Sequence, residues 1–365
     1  MLFKINQLFY FSTGCLNAEI YTLEPDPGNS GVGTIMKKIS LFLFLFIFNI
    51  SLSAKETLTI YTYDSFISEW GPAPIVEKKF EEKYNLDVKF VSADSAAVLL
   101  TKIILEGSST KADIVLGLDM NLLEEANNTN LFTDHNIKDL ESILSMPITW
   151  NDKLFVPYSY GYFAFVYNNK KFTNPPSSMH ELINNTEARI VIQDPRTSTP
   201  GLGLLTWMKS IYGNNAGKEW KKLNEKIISV TKGWTDSYYN IFLAGEADLV
   251  LSYTTSPAAH IMFDENYDYS AINFSEGNYL SIEFAGILKS SKHKKIAIDF
   301  INFMLSDDFQ STIPATNIMY PVIDIGDQLP EAYNRIKIPE KSLQIEPIII
   351  HLNKKEWIDE WLNAS

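Results

Sequence analysis

The stretch "LTIYTYDSF" (58–66) alternates apolar and polar positions with the two-residue period of a strand. "GPAPIVEKKFEEKYN" (71–85) opens on proline and then takes up helical spacing, and "LDVKFVSA" (86–93) returns to strand alternation. The exchange continues through "SAAVLLTKIILEG" (95–107) as a helix and "ADIVLGL" (112–118) as a buried strand. Alternation of this kind builds α/β folds, and here it predicts a largely parallel sheet. "VPYSYGYFAFVYN" (156–168) is a long aromatic strand, apolar on both faces and therefore central. "RIVIQDP" (189–195) and "ADLVLSY" (247–253) read as further buried strands, with "DSYYNIFLAG" (236–245) as a helix before the second. "YLSIEFAGIL" (279–288) and "KKIAIDFINFML" (294–305) close the pattern as strand and helix.

The first 54 residues carry another pattern. Met36-Lys37-Lys38 is a basic start, Ile39 to Ile50 is an apolar run of twelve broken by Ser40 and Asn49, and Ser51-Leu52-Ser53-Ala54 is a small-residue exit. This predicts a cleaved secretory signal over residues 36–54, the run being shorter than the roughly 20 residues that span a bilayer. Residues 1–35 read as an extension upstream of the true start. The single cysteine, Cys15, falls there, so a mature chain from about residue 55 has no thiol, disulfide or cysteine ligand. Cys15 has Ser12 where lipoprotein processing sites carry an apolar residue, which predicts a free rather than lipid-tethered protein of a Gram-negative periplasm; a monomer is expected.

The chain beyond the signal is long for one domain, yet it has no repeat and no low-complexity linker. Two lobes are expected, 55–160 plus 280–365 and 161–279, with long strands crossing near 158–165 and 276–283. The cleft between them, at the carboxyl ends of strands, is where a ligand belongs. Charge narrows the ligand: 31 basic against 44 acidic residues give −13, and the first 54 residues carry three of each sign, so the balance survives their removal. Such a field repels nucleic acid and attracts small cations. The chain has no G-x-S-x-G, H-E-x-x-H or Walker loop, and its five histidines (135, 180, 260, 293, 351) are scattered singly, as surface or packing residues are.

"DPRTSTPGLGLLTWM" (194–208) sets turn-forming residues directly before an apolar helical stripe of Leu204, Leu205, Met208 and Ile211. Thr199 is a fitting N-cap and Pro200 suits the first helical position. The free N–H groups of that first turn, unobstructed at Gly201 and Gly203 and joined by the Ser198 hydroxyl, form a ready anion site.

"YTYDSF" with "EWGP", "KADIVLGLDMNLL", "PYSYGYFAFVYN", "QDPRTSTPGLGLL", "TKGW", "GEADLVLSYTTSP", "NFSEGNYL" and "MYPV", in this order from residue 57 to 322, resemble the periplasmic thiamine-binding proteins of ABC importers. The resemblance implies a two-lobed α/β periplasmic binding protein of the second type, with no enzyme activity and no cofactor. Its ligand would be thiamine or a thiamine phosphate, and its partner an inner-membrane ABC permease. The implied ligand contacts are Tyr63, Trp70, Asp94, Ser198, Trp234 and Tyr253, to which the first-turn anion site adds Thr199, Pro200 and Gly201. Chemistry suits them: Trp234, Tyr253 and Tyr63 offer faces to a thiazolium, Asp94 an acceptor to the exocyclic amine, and Ser198 with the first-turn N–H groups a seat for phosphate. Ordinary readings exist beside these, aromatics as core and Asp94 as a helix N-cap.

The chain departs from the family pattern at Ala259 and Ile318, where the resemblance implies tyrosine and tryptophan. Either the cleft is looser there or neighbours such as Tyr279, Tyr320 or Phe274 fill the space. Two other readings stand beside the first. A ferric-iron binder would use adjacent tyrosines such as Tyr238-Tyr239, although their helical spacing with Ile241 and Phe242 predicts core packing. A thiaminase-like enzyme would need a cysteine nucleophile that the mature chain lacks.

Overall fold

The computed structural model describes residues 55–364; the expected signal and its upstream extension lie outside the described residues. The strands are β1 Thr57–Tyr63, β2 Asp87–Ala93, β3 Ile114–Asp119, β4 Phe132–Thr133, β5 Phe155–Asn168, β6 Ile190–Gln193, β7 Ile227–Thr231, β8 Leu249–Tyr253, β9 Tyr269–Ala271 and β10 Asn278–Leu288. The main run of the sheet is β2-β1-β3-β10-β5-β8-β6-β7. β1 lies parallel to β2 and β3, and β6 lies parallel to β7 and β8.

The centre is antiparallel, and this corrects the expectation of a largely parallel sheet. β10 runs against β3 and β5, and β5 runs against β8. The expectation failed because strands buried on both faces show the same apolar run whichever way their neighbours point. β5 changes partners midway: Phe155 to Tyr162 pair with β10, and Phe163 to Tyr167 pair with β8. The described residues pack as one compact unit through which β5 and β10 run unbroken.

Helices cover both faces and begin where local chemistry dictates. The helix Ala73–Tyr84 starts on a Pro-Ala-Pro turn and stops at Asn85, whose left-handed backbone (φ 53°) lets its N–H return to Glu81. The helix Ala96–Glu106 is capped by Ser95, whose hydroxyl accepts from the Val98 N–H at 3.3 Å, so Ser95 and not Asp94 is its N-cap. The stretch 236–242 winds as a π-helix, a form that often accompanies functional sites. The helix Pro347–Ala364 is tied back by Lys209 to Glu360 at 2.6 Å and by Lys354 to Glu125.

Candidate functional site

The parallel strands end on one side of the sheet, and a cavity of about 650 Å³ opens there. Tyr63 ends β1, Asp94 follows β2, the turn Thr197–Pro200 follows β6, Lys232 and Trp234 follow β7, and Tyr253 ends β8; all line the cavity. Asn317 and Ile318 close it from the segment after the last core helices. Open α/β sheets gather ligands at this edge because helix starts and free backbone groups converge there.

Of the residues singled out from sequence, Tyr63, Trp70, Asp94, Ser198, Thr199, Pro200, Trp234 and Tyr253 line the cavity, as do the two departures Ala259 and Ile318. Gly201 does not. A Cβ on Gly201 would come within 2.5 Å of the Gln193 carbonyl oxygen, and one on Gly203 within 2.1 Å of the Phe163 ring. Both glycines therefore serve close packing of the helix Thr199–Tyr212 on the sheet, not access for an anion. The N-cap position belongs to Ser198, with Thr199 the first helical residue, and Ser198 makes no capping hydrogen bond with its side chain. Ser198 is buried and faces the cavity instead.

The aromatic wall is built around Trp234. Its indole N–H donates to the Ser252 hydroxyl at 2.7 Å, and its ring stacks on Tyr238 with centroids 4.8 Å apart. Tyr253 packs on Phe163 at 5.0 Å. Trp70, Tyr239 and Phe263 line the rim and stay exposed at 48%, 47% and 65%. The expectation of core packing for Tyr238-Tyr239 holds for the first ring and fails for the second, because the π-helix turns Tyr239 toward the cavity mouth. Tyr238 bonds His260 at 2.9 Å, and His260 stacks on Tyr269 at 4.0 Å. His260 also lines the cavity, a position its isolation in sequence did not disclose.

Tyr279, Tyr320 and Phe274 do not fill the space beside Ala259 and Ile318. Phe274 packs on Trp207, Tyr320 stacks on Tyr160, and Tyr279 bonds Asn121, all away from the cavity lining. Ile318 holds a left-handed backbone at φ 53°, a costly conformation for a β-branched residue.

Glu283 falls in none of the family motifs quoted above, and Asp119 stands inside one of them, "KADIVLGLDMNLL", without being singled out. Glu283 lies on β10 directly between Ser159 of β5 and Asp119 of β3. Its Oε2 accepts from Ser159 at 2.7 Å, Asn317 at 2.9 Å and Tyr158 at 3.0 Å, with the Tyr63 hydroxyl at 3.2 Å. Burial pushes its carboxyl above the usual range, and these donors pull it back. Asp119, 1% exposed, is pushed up to about 6 by burial and by the Glu283 charge, against the hydrogen bonds from Asn121 and Thr199. Its bond from Thr199, at 3.1 Å, sets a carboxylate of the protein against the start of the Ser198-capped helix. A signal existed: Glu283 is the one charged residue in the eleven of β10.

A cavity walled by stacked rings, lined by carboxylates and placed at the strand ends of an α/β sheet is the arrangement of a solute-binding protein, and its chemistry suits a small organic cation. Residues 109–345 match the family described as bacterial extracellular solute-binding protein. The thiamine-binding periplasmic protein of Escherichia coli K12 is 46% identical over 312 residues, 85% of this chain and 94% of the relative. A solved periplasmic thiamin binding protein superposes with a TM-score of 0.82 at 46% identity, covering 85% of this chain and 96% of that one. Iron-bound HitA from Pseudomonas aeruginosa superposes at 0.70 with 19% identity, covering 85% and 99%, which shows a shared fold alone. The chain belongs to the bacterial extracellular solute-binding protein family. Its near relatives carry names of binding proteins, and among the described residues no helix is long and apolar enough to cross a membrane.

Proposed function

We propose that the protein captures thiamine in the periplasm and hands it to an inner-membrane ABC permease, working as a monomer without cofactor or metal. The observation that carries this reading is the aromatic and acidic cavity in a chain 46% identical to proteins named for thiamine binding. Trp234, with Tyr63 and Tyr253, would face the thiazolium, a contact worth roughly 2 kcal/mol when desolvated. Ser198 and the first turn after Pro200 would meet the hydroxyethyl arm or its phosphate. Residues 55–160 plus 280–365 and 161–279 would be two lobes closing on the ligand, joined through β5 and β10.

Iron is the weaker reading. Ferric ion needs phenolate oxygens, and burial pushes the Tyr238 hydroxyl far above its ordinary pKa while His260 already bonds it. Among the described residues no group of three His, Cys, Asp or Glu is placed to hold a metal.

Trp234→Ala tests the reading. Calorimetry is expected to show thiamine affinity reduced by roughly 1 to 3 kcal/mol, the range set by lost cation–π contact and apolar area, with the fold retained. Unchanged affinity would remove Trp234 from the site, and a wild-type protein that ignores thiamine would end the proposal.

A further inference from the structure

The charges around the cavity are lopsided. Among the described residues that line it, Asp64, Asp94, Asp236, Asp264 and Glu283 are acidic, and Lys232 is the one Lys or Arg. The Lys232 ammonium is bound by the Asp94 carboxylate. Side-chain exposures of 70% and 53% place this pair in solvent at the mouth, where an ion pair contributes little to folding. Its position carries more meaning. Asp94 follows β2 and Lys232 follows β7, at opposite ends of the sheet order, so the pair spans the opening. The Lys232 carbonyl also accepts from the Thr197 hydroxyl at 2.8 Å, which ties its loop to the turn that starts the Ser198-capped helix.

Resting on the thiamine reading above, we propose that Lys232 decides between thiamine and its phosphate esters. Bound to Asp94, it is neutralised, and the remaining carboxylates favour the unphosphorylated cation. Released from Asp94, it supplies the one ammonium a phosphate can meet beside the first-turn N–H groups. A phosphate monoester brings about −1.5 to −2 charges into a lining that is otherwise acidic, so without that release it is repelled. Lys232 is thus a specificity-determining residue and Asp94 its counterweight.

Calorimetry with thiamine and thiamine monophosphate on the wild-type protein, Lys232→Gln and Asp94→Asn tests this. Lys232→Gln frees the Asp94 carboxylate and is expected to tighten thiamine and weaken the monophosphate. Asp94→Asn frees the ammonium and is expected to do the reverse. Each shift should be roughly fivefold for one unit charge near the surface, and should shrink in 1 M salt, where screening acts over about 3 Å. Lys232→Arg keeps the charge and should keep the wild-type ratio. A structural role would move both ligands the same way in each variant, and that outcome, or an unchanged ratio in Lys232→Gln, overturns the inference while leaving thiamine binding intact. Wild-type protein that binds neither ligand overturns the functional reading and this inference with it.

Discussion

Gly201→Ala is expected to lower folding stability by about 3 kcal/mol, the upper part of the range for overpacking a well-filled core. The new methyl would lie 2.5 Å from the Gln193 carbonyl oxygen and 2.6 Å from the Asp194 carbonyl carbon, which are backbone atoms that cannot rotate aside. The helix Thr199–Tyr212 must then lift from the sheet, and its stripe of Leu204, Leu205 and Met208 loses contact. Urea unfolding measures the loss. A variant as stable as the wild type would mean that this helix sits farther from β6 than the structure has it.

Asp119→Asn should make the protein gain on the wild type as pH rises from 4 to 7. Burial lifts the Asp119 carboxyl from 3.8 to about 6, so the folded chain holds a proton there that the unfolded chain has lost. The stability this proton brings is full below pH about 4 and is gone once pH passes about 6, a difference of about 3 kcal/mol by linkage. Asparagine has no charge to bury; its oxygen can accept from the Asn121 N–H as Asp119 Oδ1 does, while its amide donates to the Thr199 hydroxyl, which now donates to Asp119 Oδ2 and would turn to accept. The pH dependence of Glu283 is common to both proteins and largely drops out of the comparison. Stability profiles that run parallel between pH 4 and 7 would refute the assignment.

The order of strands and helices was legible because period-two and helical spacings are local properties, and the long strand at 155–168 announced itself by apolar faces on both sides. Strand direction was not, since pairing of β10 with β5 joins residues far apart in the chain and leaves no local mark. The edge strand β7, "IISVT", escaped because it is short and buries only Thr231, and Pro347–Ala364 escaped because its apolar positions form only a weak stripe. The aromatic and acidic cavity residues named from sequence were reached through family resemblance, whereas Gly201 was put forward by the open first turn of its helix. Sequence alone cannot tell whether a glycine leaves room for a ligand or for a neighbouring backbone. Glu283 and Asp119 pass for ordinary members of strands, although a lone carboxylate in a buried strand must find donors or stay protonated.

The placement of the indoles has an optical consequence. The chain has seven tryptophans, and two of them, Trp70 and Trp234, line the cavity. Trp150, Trp207, Trp220 and Trp361 are buried elsewhere, and Trp357 lies on the C-terminal helix. Emission from those five is a steady background, whereas an aromatic cation entering the cavity meets the other two rings directly. Occupancy is therefore written into the intrinsic fluorescence of the protein, and Trp234→Phe separates the signal of the wall from that of the exposed rim at Trp70.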